Sequence, residues 1–162
     1  MIALVLGGSR SGKSEAAERL AEQAAAPVTY VATGTVTDDD MARRIEDHRL
    51  RRPSSWETLE AGTDVVAALL EAKGTVLVEA LGTWVAAHAD FVVDGASLCD
   101  ALVSREGDTI VVSDEVGLGV HPSTDVGRRF RDALGELNQQ VAAVADEVLF
   151  VVAGRALRLE RP

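Results

Sequence analysis

The sequence predicts a doubly wound α/β domain on a mainly parallel sheet, and three observations carry that expectation. Short apolar runs rich in β-branched residues alternate with segments of helical periodicity. A glycine-rich loop follows the first run and opens the first helix. The length of 162 residues suits one domain spanning 1–162, because at that size roughly 70% of the unfolded chain's surface can be buried without disulfide or structural metal.

The strands are expected at Ile2 to Leu6, Val28 to Ala32, Thr75 to Glu79, Thr109 to Ser113 and Val148 to Ala153, near-continuous apolar runs of the kind buried on both faces. Between them, Ser14 to Ala25 sets Ala16, Ala17, Leu20, Ala21 and Ala24 on one side and stops at Pro27. Asp38 to Leu50 starts from an approximate capping box at Thr37 to Asp40 and ends before Pro53. Thr63 or Asp64 caps a third helix that runs toward Gly74. The clearest helix is Asp125 to Ala145, where Val126, Phe130, Leu134, Leu137, Val141 and Val144 recur at three- and four-residue spacings and form a core-facing stripe. Residues 53–60, with Trp56, suggest a further short strand, and 81–106 read as one or two short helices. Strands joined through helices imply right-handed crossovers, so ligands belong at the carboxyl ends of the strands.

Gly7-Gly8-Ser9-Arg10-Ser11-Gly12-Lys13-Ser14 fits the pattern G-x-x-x-x-G-K-[ST] between a strand and a helix, the setting the pattern requires. Its glycines let successive backbone N–H groups point inward, and the helix N-terminus adds partial positive charge, which makes a socket for phosphate oxygens. Lys13 would bridge the β- and γ-phosphates, and Ser14 would ligate Mg²⁺. The chain has only two lysines, Lys13 and Lys73, which makes a chance match improbable. Glu79, Asp114 and Glu115 stand at the ends of two strands and are candidates to hold the metal's water shell or orient an attacking hydroxyl, or else are turn acids.

Composition narrows the alternatives. Hydrophobic residues make up 47% and charged residues 26%, ordinary globular usage, and no apolar run approaches the roughly 20 residues of a membrane span. The run after Met1 is too short for a signal peptide and lacks a basic lead, so a cytoplasmic protein is expected. The net charge of −10 disfavours nucleic acid as a partner. The lone Cys99 has no partner for an internal disulfide and reads as a small apolar residue.

Against that acidic background, Arg43 to Arg52 holds five arginines and two acids, a local +3 around His48. Arg44, Arg51 and Arg52 stand at i−4, i+3 and i+4 from it, so the imidazole shares a helix face with guanidiniums. Such a field disfavours the imidazolium and keeps the ring available as a nucleophile or acceptor. A histidine late in a helix also serves as a C-terminal cap, and spacing alone leaves both roles open. His121, before Pro122 in a glycine-rich loop, is a candidate substrate contact, and His88 reads as a surface or helix-end residue.

Taken together, the segments resemble the bifunctional adenosylcobinamide kinase and adenosylcobinamide-phosphate guanylyltransferase family of cobalamin biosynthesis. The resemblance rests on Gly7 to Ser14 with Ala17-Glu18, Tyr30-Val31-Ala32-Thr33, Arg44-Ile45 with His48, Arg52-Pro53, Trp56 with Thr58 and Glu60, and Val111 to Gly117. It continues through Arg129 to Asp132, Gly135, Asn138-Gln139, Ala145 to Val148 and Val151-Val152 with Gly154, nearly the whole chain. Asp114 stands where the family usually has Asn, Ala80 where Cys is common, and residues 84–107 are shorter than the corresponding stretch.

The resemblance implies a RecA-like P-loop NTPase domain assembled as a homotrimer. It implies that the chain phosphorylates adenosylcobinamide with ATP or GTP and then transfers GMP from GTP through a guanylylated histidine, His48. The implied nucleotide site comprises Gly7, Gly8, Ser9, Arg10, Ser11, Gly12, Lys13, Ser14, Ala32, Thr33, Gly34, Arg49, Leu50, Arg51, Arg52, Glu60 and Glu79, with Ser14 and Glu79 toward Mg²⁺ and Lys13 and His48 catalytic. The competing expectation is another P-loop kinase acting on a small alcohol or phosphate, with no covalent nucleotide and His48 a phosphate contact. A non-catalytic nucleotide sensor or recombinase-like ATPase is a third, and the acidic charge counts against its binding DNA.

Overall fold

The computed structural model describes residues 1–161 apart from 35–42, 44, 45, 47 and 48. The helix expected over Asp38 to Leu50 falls largely outside the described residues, as does His48; Arg49 to Arg51 are helical. Along the described chain run β1 (Ile2–Gly7), α1 (Lys13–Gln23), β2 (Val28–Ala32), β3 (Glu57–Glu60), α2 (Val65–Glu71), β4 (Thr75–Glu79), α3 (Leu81–Ala86), α4 (Gly95–Ser104), β5 (Thr109–Asp114), α5 (Asp125–Val144), β6 (Glu147–Val152) and β7 (Arg155–Arg158). One sheet holds the strands in the order β3-β2-β4-β5-β1-β6-β7, parallel except for the β6–β7 hairpin. The fold is that of an α/β P-loop NTPase.

Period-two alternation divides each central strand between two cores. Leu4, Leu6, Val76, Val78 and Val111 face α2, α3, α4 and α5, where Leu69, Trp84, Leu98, Leu134, Leu137 and Val141 meet them. Ala3, Val5, Leu77, Ile110 and Val112 face the other way, onto Ala17 and Ala21 of α1. The small side chains of α1 let it lie close to the sheet, which brings its N-terminus over the end of β1. The stripe of α5 is fully buried at Leu134, Leu137 and Val141, but Val126, near its start, is exposed.

Residues 81–106 resolve into the two helices α3 and α4 with a 3₁₀ turn at Ala89–Phe91 between them. Cys99 is half-buried against the larger core, and burial pushes its thiol pKa up. Strand β7 lies beyond the sequence expectation. Its four residues are all exposed, so its sequence Arg-Ala-Leu-Arg carries no burial pattern, and it exists by pairing with β6 through a turn whose Ala153 and Gly154 have φ of 50° and 71°.

Register sets what the sheet presents at its carboxyl edge. Ala32 pairs with both Glu60 and Glu79, and Gly7 pairs with Asp114. In sheet order the strand ends are therefore Glu60, Ala32, Glu79, Asp114 and Gly7, a row of carboxylates broken by the two small residues.

Candidate active site

The loop after β1 closes on itself and on the C-terminal hairpin. Ser11 N–H donates to the Gly8 carbonyl at 3.3 Å, and Lys13 N–H donates to Ser11 Oγ at 3.3 Å. Gly154 N–H, at the β6–β7 turn, donates to the Ser11 carbonyl at 2.8 Å. Gly12 has φ of 92°, a conformation that favours glycine, and a Cβ there would stand 3.1 Å from Gly154 Cα. Gly7 has no room for a side chain either, because a Cβ would stand 2.7 Å from the Val151 carbonyl oxygen. The two glycines thus have separate reasons: Gly12 for its dihedral angles, Gly7 for close approach.

This loop forms one wall of a cleft of about 490 Å³ at the carboxyl edge of the sheet. Of the expected site residues, Ser9, Arg10, Ser11, Gly12, Lys13, Ser14, Ala32, Gly34, Arg51, Arg52, Glu60 and Glu79 line it. Gly7 and Gly8 lie behind the loop and shape it. Thr33 is buried and braces the opposite wall, its hydroxyl donating to the Ala80 carbonyl at 2.7 Å while accepting the Ala80 N–H at 2.9 Å. Arg49 and Leu50 are not among the lining residues, and Leu50 is 74% exposed.

Two polar contacts join the loop to the strand ends. Ser14 Oγ donates to Glu79 Oε1 at 2.7 Å, linking the first turn of α1 to the end of β4. Lys13 Nζ lies 2.8 Å from Asp114 Oδ1 at the end of β5. The hydroxyl and carboxylate oxygens of Ser14 and Glu79 form a hard donor pair beside the phosphate loop, and that chemistry fits Mg²⁺. Among the described residues no cluster of three or more His, Cys, Asp or Glu side chains is arranged to hold a metal without such a substrate. Glu115 turns instead to the N–H of Gly117 within its own loop.

At the far end of the cleft, Arg51 donates two hydrogen bonds to the buried Glu18 of α1, at 3.3 and 3.2 Å, and those bonds raise its pKa further. Arg52 stacks its guanidinium 3.7 Å above the Tyr30 ring and donates to Thr58 Oγ1 at 3.1 Å. Burial, with Glu79 adding to it, pushes the Tyr30 phenol well above its ordinary range, so Tyr30 serves as a neutral platform. The residue pair that follows His48 in sequence after Arg49 and Leu50 is therefore tied to the same cleft as the phosphate loop.

Tyr30, Ala80 and Thr83 also line the cleft without having been singled out as site residues. Tyr30 stands in a strand and in the segment that carries the family resemblance, and Thr83 is a polar residue in a short helix; neither has a local pattern that marks it as a cleft residue. His121 is exposed and bonds Arg131 at 2.9 Å, and His88 bonds the Trp84 carbonyl at 2.8 Å beside the indole ring. Neither lines the cleft.

Comparison with known proteins agrees over almost the full length. Residues 3–159 match the family described as "Cobinamide kinase / cobinamide phosphate guanyltransferase". The chain is 40% identical to the bifunctional adenosylcobalamin biosynthesis protein CobP of Pseudomonas aeruginosa, covering 97% of this chain and 96% of that protein. It is 35% identical to the bifunctional adenosylcobalamin biosynthesis protein CobU of Escherichia coli K12, covering 99% and 100%. Among solved structures it resembles the flagellar accessory protein FlaH of Methanocaldococcus jannaschii, with a TM-score of 0.51 at 14% identity, covering 98% of this chain and 77% of that one. An ATPase of a bacterial type III secretion system gives a TM-score of 0.53 at 12% identity over 97% and 56%. These two likenesses concern the fold alone.

Proposed function

The chain belongs to the cobinamide kinase / cobinamide phosphate guanyltransferase family, and from that premise we propose that it phosphorylates adenosylcobinamide with ATP or GTP and then transfers GMP from GTP to the new phosphate through a guanylylated His48. The product is adenosylcobinamide-GDP. Both transfers run on a single nucleotide-binding domain, residues 1–162, working as a homotrimer in the cytoplasm. The observation that supports the nucleotide site best is the meeting of Ser14 and Glu79, at 2.7 Å, inside a cleft walled by the Gly7 to Ser14 loop.

In the kinase step the hydroxyl oxygen of adenosylcobinamide bonds to the γ-phosphorus, the bond to the β–γ bridging oxygen breaks, and the nucleoside diphosphate leaves. The loop N–H groups and Lys13 stabilise charge on the phosphate oxygens. Ser14 and Glu79 would hold Mg²⁺, which when bound neutralises charge between adjacent phosphates.

In the guanylyl step a neutral His48 nitrogen bonds to the α-phosphorus of GTP and pyrophosphate leaves, giving a phosphoramidate. The phosphate oxygen of adenosylcobinamide phosphate then attacks the same phosphorus and frees His48. Arg52, which lines the cleft, supplies positive charge to these phosphates, while Arg51, bonded to Glu18, secures the chain that follows His48. The nucleophile in this step is the unprotonated ring, so acid that protonates it should slow guanylylation.

Incubation with GTP labelled at the α-phosphate, followed by denaturation and peptide mapping, tests the reading. Label is expected on His48, stable in alkali and lost in acid, and His48→Ala should abolish labelling and guanylyl transfer while retaining kinase activity. Label on another residue, or undiminished guanylyl transfer in His48→Ala, would overturn the covalent route. A chain that phosphorylates adenosylcobinamide yet never retains label would be a kinase alone.

A further inference from the structure

The three acids at the strand ends, alike in sequence, have separate partners. Glu79 accepts from Ser14, and Glu115 accepts from its own loop at Gly117. Asp114 faces Lys13, with Oδ1 2.8 Å from Nζ, which also donates to the Gly8 carbonyl at 3.4 Å. Only 12% of the Lys13 side chain and 33% of the Asp114 side chain is exposed, so the pair is partly shielded from solvent. Asp114 is also held where it is. Its backbone is in register with Gly7, and Asn138 Nδ2 from α5 donates to its carbonyl at 3.1 Å while Asn138 Oδ1 accepts from Ser113 Oγ at 2.6 Å. Its second carboxylate oxygen fills the space over Gly82, where a Cβ could not be accommodated. The carboxylate thus lies between the start of α3 and the ammonium expected to contact the phosphates.

We propose that Asp114 is an internal competitor of the nucleotide for Lys13 and so sets how tightly polyphosphates are held and how quickly they leave. In the empty cleft it satisfies the ammonium and keeps the side chain aimed into the site. An incoming nucleotide exchanges that carboxylate for its own phosphate oxygens, and the carboxylate, on a backbone fixed at the end of β5, stays nearby as a like charge. Both effects weaken binding, and both are greatest when no divalent cation offsets the phosphate charge. The proposal rests on reading the Lys13 loop as the nucleotide site.

The experiment measures equilibrium binding and stopped-flow release of a fluorescent non-hydrolysable GTP analogue and of fluorescent GDP, with saturating Mg²⁺ and with EDTA. The proteins are wild type, Asp114→Asn, Asp114→Ser, Lys13→Met and the Lys13→Met/Asp114→Asn double variant. Removing the charge at 114 should tighten binding about tenfold and slow release in proportion, more in EDTA than in Mg²⁺. Asp114→Ser should move the same way as Asp114→Asn, so either soluble variant carries the test. In the Lys13→Met background the gain should shrink to the like-charge part alone, because the ammonium competed for is gone, and a gain as large as in wild type would overturn the competition. Unchanged or weaker binding on loss of the Asp114 charge, with Lys13→Met still weakened, would sink the competition and leave the nucleotide site standing. If Lys13→Met binds as wild type does, the nucleotide-site reading itself is wrong.

Discussion

Lys13 and Ser14 are adjacent in sequence yet are proposed for different tasks, phosphate charge and Mg²⁺, and substitutions at Lys13 and at Glu79, the partner of Ser14, should separate them. Lys13→Ala should reduce both transfers by about 100- to 1,000-fold at saturating Mg²⁺, the usual cost of one electrostatic contact to the transition state. Near-normal rates would refute its role. Glu79→Gln should lower kcat with the fold intact, and added Mg²⁺ should partly restore it; an equal loss at every Mg²⁺ concentration would show that Glu79 acts otherwise. Thr33→Val would remove the nearer of the two hydroxyls that accept from the buried N–H of Ala80, leaving it Thr83 Oγ1 at 3.4 Å, at a cost of about 1 kcal/mol in urea unfolding. At this scale the phosphate loop was legible because its groups come from eight consecutive residues whose backbone makes the socket. The Glu18–Arg51 and Tyr30–Arg52 pairs were not, because each joins residues more than twenty positions apart and no local spacing records the contact.

Each element behaves according to how much of its sequence is spent on burial. The β1, β2, β4 and β5 strands and helix α5 were legible because their interior residues are almost wholly covered and so must be apolar at fixed spacing. The hairpin strand β7 was not, since edge pairing needs only backbone groups. Helix ends were misjudged by a residue or two where charged or small residues follow the last turn, as after Gln23. One side chain joins several elements at the amino edge of the sheet. Arg105, just beyond α4, donates to the carbonyls of Leu69, Gly74 and Asp108 and to Thr109 Oγ1. Burial lowers its pKa, though not enough to discharge a guanidinium at neutral pH. Arg105→Met would strand those acceptors and should destabilise the protein by about 3 kcal/mol in urea unfolding, while the KM for GTP of the folded fraction stays unchanged because the cleft is at the opposite edge. A shift in KM comparable to the loss in stability would contradict that separation.

For the whole molecule, surface chemistry sets association. Val152, Leu157 and Leu159 are 54%, 62% and 41% exposed on one face of the β6–β7 hairpin, and Leu118 and Val120 project from the loop after β5. Sedimentation equilibrium at micromolar concentration should return three times the chain mass, and a monomer would count against the trimer. No helix among the described residues is long and apolar enough to cross a membrane. The strand order has a further consequence for how the enzyme comes into being. In this sequence β1 lies in the sheet between β5 and β6, which come much later in the chain, and the backbone of Ser11 is clasped by Gly154. Synthesis therefore delivers the phosphate loop well before its supports, and β1 has no neighbour in the sheet until β5 has emerged and keeps one side open until β6 follows. Competence to bind nucleotide should then arise only once synthesis has passed the β6–β7 hairpin, because a shorter chain has the whole motif and lacks the Gly154 contact that closes on it.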